Sequence, residues 1–373
     1  MKAVVLIPGT TNVRLVDRPE PRISSPDEVK LNVLQVGICG TDREETAGGR
    51  AVAPPGSKEI IIGHEMLGRV VEIGPTVTNV RAGDYATLTV RRGCGGCPAC
   101  AIDRSDMCYT GEYADRGIRK QDGYQAEYVV DHERYVVPVP GGISEVGVLA
   151  EPMSIAEKGI DEALAIQRSR LPDFGGGRGW LRGRLVLVAG LGPIGILAAF
   201  ALRLREARVL GLDIVSPKSN RARILQRIGG TYVDGRQSTP QAVEEEFGRV
   251  DVILEATGVA ELEFDLLAAL GRNGVYVLTG IPSDDRPINI DAPALARNLV
   301  LGNQVVAGSV NASLRHFEIG VADLGRASEA WGSALAEMIT HRFPYTESAF
   351  ALSTHSGDEI KAVIDWADGG GET

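Results

Sequence analysis

The sequence predicts an α/β protein in two parts, a β-rich N-terminal domain followed by a doubly wound parallel sheet. Three observations carry this. Residues 1–150 hold short alternating or β-branched runs separated by Gly, Pro and Asp turns. The second half alternates apolar strand-length runs with helical periodicity. Between them, residues 184–213, RLVLVAGLGPIGILAAFALRLREARVLGLD, read as a strand, a glycine turn, a helix and a second strand ending in an acid.

Leu185–Ala189 is a continuous apolar run, as in a strand buried on both faces of a parallel sheet. Gly190, Gly192 and Gly195 follow in G-x-G-x-x-G spacing. The first glycine permits a tight turn, the second lets a pyrophosphate approach the backbone, and the third lets the helix pack closely on the strand. Leu191, Pro193 and Ile194 complete the turn, and the free N–H groups at the start of the helix would face the phosphates. Asp213 ends the next apolar run, about 20 residues on, where a carboxylate accepts both ribose hydroxyls. Together these features read as a dinucleotide site. The uncharged stretch 185–202 could otherwise suggest a membrane span, but three glycines and a proline break it into a strand and a helix.

A chain of 373 residues has room for two cores, and 44% hydrophobic with 24% charged residues is ordinary globular composition. The net charge of −10 argues against binding a phosphate backbone, so nucleic acid is not an expected partner. The N-terminal apolar run is broken early by Pro8 and Gly9, too short for a signal peptide, and a cytoplasmic location is expected.

In the first half, strands are expected at Lys2–Leu6 and at 29–36, 67–73 and 85–90. Cys39-Gly40-Thr41-Asp42 follows one strand and Gly63-His64-Glu65 precedes another. With Glu151 they supply a thiolate, an imidazole and two carboxylates, a donor set suited to a catalytic Zn²⁺ with one position open. Cys94, Cys97, Cys100 and Cys108 are four of the five cysteines, at C-x2-C-x2-C with a fourth eight residues later. Four thiolates wrap a tetrahedral metal with no water, a closed structural site. A helix is expected from Glu151 to about Arg170, bridging the domains, and a glycine-rich exposed connection at 171–183. Thr257 and Gly258, Thr279 and Ile281, and Val310 and Asn311 lie past strand ends, where a doubly wound sheet places ligand contacts. The last segment, 343–368, is expected to hold a strand-like run and a helix over 359–366.

In this order, these motifs resemble the zinc-dependent medium-chain dehydrogenases, over essentially the whole chain. RRGCGGC at 91–97, TGEYADRGI at 110–118, LAEPMSIAEKGI at 149–160, EATG at 255–258, GIPSD at 280–284 and GSVNASLRHFE at 308–318 resemble a narrower branch, the glucose 1-dehydrogenases. The resemblance implies a GroES-like catalytic domain at 1–155, completed by 343–373, and a Rossmann coenzyme domain at 156–342. It implies Cys39 and His64 as zinc ligands, with Glu65 and Glu151 as further ligands directly or through water, so that one catalytic and one structural zinc are expected per chain. It further implies Thr41 in a proton relay, Asp115, Glu151 and Asn311 on sugar hydroxyls, and Lys361 near the coenzyme. Val90 and Ile155 depart from relatives that have a sugar-binding Asn and an acid there.

The implied reaction is oxidation of an aldose at C1 to its lactone, with hydride passing to C4 of the nicotinamide. Another aldose, a polyol or a cyclitol would share every motif and differ in the pocket. A non-catalytic zinc sensor would not need Cys39, His64 and Glu65. NADP-preferring relatives have arginines after the second strand, whereas this chain has Gly211-Leu212-Asp213, so NAD is the expected coenzyme. Lys218, Arg221 and Arg223 are the cations that would serve NADP instead. The apolar run 303–310 would be an unprotected sheet edge unless paired with a second chain, and a homodimer or a homotetramer of such dimers is expected.

Overall fold

The computed structural model describes residues 1–171, 178–282 and 286–366 and divides the chain into two compact units. The first comprises Met1–Ser154, Asn311–Ser328 and Ala336–Thr373; the second comprises Ile155–Val310 and Glu329–Leu335. The division falls inside the helix Ala150–Arg170. The sequence reading begins the return to the first unit at 343, whereas the structure begins it at Asn311. The difference has a packing cause: on the helix Leu314–Trp331, a Cβ at Gly320 would lie 3.3 Å from Met153 Cγ and Ser154 N, so that glycine packs against the first unit's own chain. Most of the expected connection at 171–183 lies outside the described residues, apart from a 3₁₀ turn at Arg178–Leu181.

The first unit is organised on the strand Glu28–Ile38, which pairs antiparallel with Glu65–Ile73, Lys361–Asp365 and Tyr128–His132. Ile339–Pro344 runs parallel to Lys361–Asp365 on the outside of this sheet. The helix expected over 359–366 is therefore a strand. Lys-Ala-Val-Ile-Asp lies between two neighbours with its first four residues buried. A short apolar run of that kind carries no periodicity that separates strand from buried helix, and the pairing with Glu28–Ile38 decides it. Val29, Leu31, Val33, Val36, Ile364 and Trp366 share one core with Val4 and Leu6.

The second unit is a six-stranded parallel sheet in the order Thr231–Asp234, Arg208–Asp213, Leu185–Ala189, Val250–Glu255, Leu270–Leu278, Val305–Gly308. The chain leaves Leu185–Ala189 toward one edge, then returns to its other side with Val250–Glu255, so the topology reverses between these two strands. Ligand-binding crevices form at such a point, outside the carboxyl ends of the strands. The helix Pro193–Leu204 starts with proline in its first turn and buries Gly195 through Leu202. Among the described residues no helix is long and apolar enough to cross a membrane.

Candidate functional site

Strand register brings the first cluster together. Gly37 is paired with Glu65 and Ile38 with Ala362, so the residue after the strand, Cys39, emerges beside the starts of two neighbouring strands. Cys39 caps the helix Gly40–Thr46: its Sγ accepts from Thr41 N–H at 3.2 Å, while Asp42 reaches back to Cys39 N–H at 2.9 Å. That capping box fixes the sulfur and the Asp42 carboxylate in one act. His64 Nε2 lies 3.1 Å from Cys39 Sγ and its Nδ1 lies 3.3 Å from Asp42 Oδ1. Ligand atoms of Cys39, His64 and Glu65 all fall within 4.8 Å of one another.

This donor set fits Zn²⁺. Sulfur and imidazole nitrogen converge, and a carboxylate behind the far ring nitrogen orients the imidazole, as metal-bound histidines require. Burial opposes a charge on His64, but Asp42 and Cys39 outweigh it and hold the pKa well above its ordinary value. The site thus favours a cation at His64, a proton or a metal.

Two carboxylates and a lysine surround the cluster. Lys361 Nζ donates to both oxygens of Glu65, at 2.8 and 2.7 Å, and to Ile38 O at 3.0 Å. The resemblance puts this lysine beside the coenzyme; in the structure its ammonium is buried on Glu65. Gly37 makes room for the pair, since a Cβ there would sit 2.1 Å from Glu65 Oε2. Glu151 is not among the three clustered residues, but burial pushes its pKa up to about 8, with His64 pulling it down and Glu65 pushing it further up. Glu45, on the same short helix as Asp42, is buried with neither oxygen hydrogen-bonded, and burial followed by Asp42 raises it to about 8. Asp42 and Glu45 were not singled out as site residues from sequence; the three-residue spacing after Cys39 is the signal for the first, and nothing local marks the second.

The sulfurs of Cys94, Cys97, Cys100 and Cys108 form a second cluster within 4.8 Å, with no disulfide among them. Backbone N–H groups of Cys100 and Tyr109 lower the Cys97 thiol, and the Thr110 hydroxyl, first among several donors, lowers Cys108 to about 6. Burial instead raises Cys100 to about 12. Donors aimed at sulfur favour the thiolate that binds zinc, and four such ligands leave no open position. Arg91 ties this lobe to Asp115: Nη1 donates to Asp106 O at 3.0 Å, while Nε and Nη2 donate to the two Asp115 oxygens at 2.9 and 3.3 Å. Asn311, held at φ 61°, donates to Asp115 Oδ1 at 3.0 Å. The structure therefore brings Asp115 and Asn311 together and clamps them with an arginine that sequence reasoning left unassigned.

In the second unit the glycine turn has the expected division of labour. Gly190 sits at φ +86°, a Cβ at Gly195 would lie 1.8 Å from Gly190 O, and a Cβ at Gly192 would meet nothing within 4 Å. The face of Gly192 is thus open to a phosphate. Asp213 Oδ2 accepts from Leu191 N–H at 2.8 Å, Oδ1 accepts from Ile214 N–H at 2.6 Å, and Arg221 Nη1 stands 3.8 Å from Oδ2. Thr257, Gly258, Thr279 and Ile281 lie on the turns that follow Val250–Glu255 and Leu270–Leu278. Val310 is half exposed, and its carbonyl accepts from buried Lys158 at 2.8 Å. This open glycine face beside an acid fits a dinucleotide.

Comparison with known proteins covers both units. The family model of the alcohol dehydrogenase GroES-like domain matches residues 25–141, and that of the glucose dehydrogenase C-terminus matches residues 144–366. A glucose 1-dehydrogenase of Caldivirga maquilingensis is 39% identical over 98% of this chain and 99% of its own length. One from Methanocella arvoryzae is 38% identical over 92% and 93%. Among solved structures, Haloferax mediterranei glucose dehydrogenase, in complex with NADP, Zn and gluconolactone, matches with a TM-score of 0.86 at 32% identity, covering 99% of this chain and 100% of that one. With two zinc-suited clusters in one unit and a glycine turn at a sheet's switch point in the other, the chain belongs to the zinc-dependent medium-chain dehydrogenases, in the glucose 1-dehydrogenase branch.

Proposed function

We propose that this dehydrogenase oxidises a glucose-like aldose at C1 to its lactone and passes the hydride to a nicotinamide coenzyme, preferring NAD⁺ to NADP⁺. The observation that carries the reading is the convergence of part-exposed Cys39 with buried His64 and Glu65 within 4.8 Å of one another. Bound by Cys39 and His64, with Glu65 and Glu151 as further ligands directly or through water, Zn²⁺ would supply a Lewis acid that lowers the pKa of the C1 hydroxyl. A second zinc on the four cysteines would hold the lobe's fold.

The chain's own residues do the rest. The Thr41 hydroxyl is the first stop for the departing proton. Asp115, Glu151 and Asn311 hold sugar hydroxyls, and the Arg91 clamp keeps Asp115 in one orientation. Buried polar groups of this kind reward a polyhydroxylated substrate and penalise a hydrocarbon alcohol, which would leave them unpaired. The names of the relatives support glucose as the type substrate.

Asp213 supports the NAD preference: a carboxylate at the end of the second strand accepts from the adenosine ribose and repels a 2′-phosphate. Arg221, 3.8 Å away, is the cation that would have to turn outward to serve NADP⁺. The edge strand Val305–Gly308, with exposed Val300 and Leu301 nearby in sequence, supports a homodimer or a homotetramer of dimers. A cytoplasmic enzyme is the matching location. A screen of aldoses, polyols and cyclitols against both coenzymes at 340 nm tests the reading. Turnover of glucose-like aldoses with the higher kcat/KM for NAD⁺ is expected; turnover confined to polyols or simple alcohols would refute it.

A further inference from the structure

Glu255 ends the central strand Val250–Glu255 and is completely buried. Among the described residues the hydrogen bonds to its carboxylate come from two turns. Oε1 accepts from Thr257 N–H, Thr257 Oγ1 and, at 3.0 Å, Gly258 N–H; Oε2 accepts from Gly280 N–H at 3.2 Å. Its backbone carbonyl accepts from Thr279 N–H at 2.9 Å and from the Thr279 hydroxyl at 2.6 Å. One residue therefore holds the turn that follows its own strand and the turn that follows the neighbouring strand Leu270–Leu278.

The two turns meet over this carboxylate with no space for side chains. A Cβ at Gly258 would lie 2.7 Å from Ile281 O; one at Gly280 would lie 2.3 Å from Gly258 N and 2.5 Å from Glu255 Oε2. A third element closes in from the other side. Ala189 is in register with Glu255, and a Cβ at Gly190 would lie 2.8 Å from Thr257 Cγ2. The carboxylate thus lies under the switch point of the sheet, where the first glycine turn and the two later turns come together.

We infer that Glu255 is a positioning residue for the coenzyme, its single carboxylate setting the spacing of the turns at 256–258 and 279–281 before any ligand arrives. The inference rests on the coenzyme reading proposed above. It is specific to a carboxylate because four donors converge on one group. An ionised carboxylate only accepts, through two oxygens. A glutamine amide turns its own N–H₂ toward one set of donors and can serve only one turn. Aspartate keeps the charge but is one methylene shorter, so it reaches the adjacent turn and leaves Gly280 N–H without its acceptor. Such preorganisation acts on ligand affinity by removing an ordering cost.

The test uses the full-length chain with two readouts. Without coenzyme, amide hydrogen exchange should quicken in Glu255→Gln at the peptides of one of the two turns, Thr257 with Gly258 or Gly280, while the turn that the amide oxygen still serves stays protected. In Glu255→Asp it should quicken at Gly280 alone, with the four-cysteine lobe unchanged in both variants. In fluorescence titration the coenzyme Kd should weaken about tenfold in Glu255→Gln, the cost of one buried donor left unpaired, with the KM for sugar unchanged. Unchanged exchange in both variants would overturn the inference. So would loosened turns with an unchanged Kd, the pattern of a merely structural group. If wild type itself binds neither NAD⁺ nor NADP⁺, the proposed function falls first. If wild type binds and Glu255→Gln binds equally well, only the role of Glu255 falls.

Discussion

The Lys361 ammonium lies 2.7 and 2.8 Å from the two oxygens of Glu65, and both side chains are buried behind the Cys39–His64 pair. In chelator-treated protein, where no zinc can take up the charge left on Glu65, removing one partner leaves an uncompensated buried charge. Lys361→Met should therefore cost about 3–5 kcal/mol of stability, and Glu65→Gln placed on top of it should recover much of the loss. Denaturant midpoints of the two single variants and the double variant check this. A loss in Lys361→Met below about 1 kcal/mol, the range of exposed pairs, would contradict it.

The two metal clusters should fail in different ways. Cys39→Ser should abolish turnover and leave the fold and the four-cysteine metal in place, because a hydroxyl is a poor substitute for a thiolate. Cys97→Ser should lower the melting temperature and lose the other metal, since binding in a closed site is coupled to folding. Elemental analysis is expected to find two zinc ions per wild-type chain and one in each variant. One or none in active wild type would sink this assignment.

On the proposed function, Asp213 would set the coenzyme choice. Because its Oδ2 also accepts from Leu191 N–H at 2.8 Å, the better substitution is Asp213→Asn, which removes the charge and keeps an oxygen for that amide. The ratio of kcat/KM for NAD⁺ to that for NADP⁺ should fall about tenfold or more, roughly 1.4 kcal/mol. An unchanged ratio would free Asp213 of this role.

Glu45 should make the metal-free protein less stable as pH rises. Burial raises its pKa from 4.5 to about 8 in the folded chain, so between these values the folded state keeps a proton that the unfolded state has released. Stability falls with pH across that window. Glu45→Gln, neutral throughout, should match wild type near pH 5 and exceed it by a few degrees in Tm at pH 8. Melting curves of chelator-treated protein at the two pH values decide it, and a constant gap would mean that Glu45 does not titrate in this range.

At the edge of the second unit's sheet, Val300 and Leu301 are 74% and 71% exposed and Val306 is 39% exposed on the outermost strand. Leu301→Glu with Val306→Lys should shift the mass in light scattering from dimer or tetramer to monomer at micromolar concentration. Wild type running as a monomer would refute the assembly.

Short-range pattern was enough for much of this protein. The apolar run at Leu185–Ala189, the spacing of Gly190, Gly192 and Gly195, and the acid at Asp213 each depend on neighbours a few residues away, as do the four cysteines of the lobe. Local backbone geometry and metal-ligand spacing are properties of short segments, so the glycine turn and the closed sulfur cluster were legible at once. Cys39 and His64 were legible as residue types.

Their meeting, which the resemblance implied, could not be read from spacing, because it depends on the register of Gly37 with Glu65 and of Ile38 with Ala362. The same pairing turned 361–365 from an expected helix into a strand and made Lys361 the partner of Glu65. Arg91 on Asp115 and Glu255 beneath its two turns belong to the same class. What the sequence determined by itself was the kind of chemistry available, since residue type and local spacing set that. Only the tertiary structure decided which charge answers which. A buried ion's partner is selected by strand pairing across tens to hundreds of residues, and the cost of leaving it unpaired acts only once the fold has removed the water.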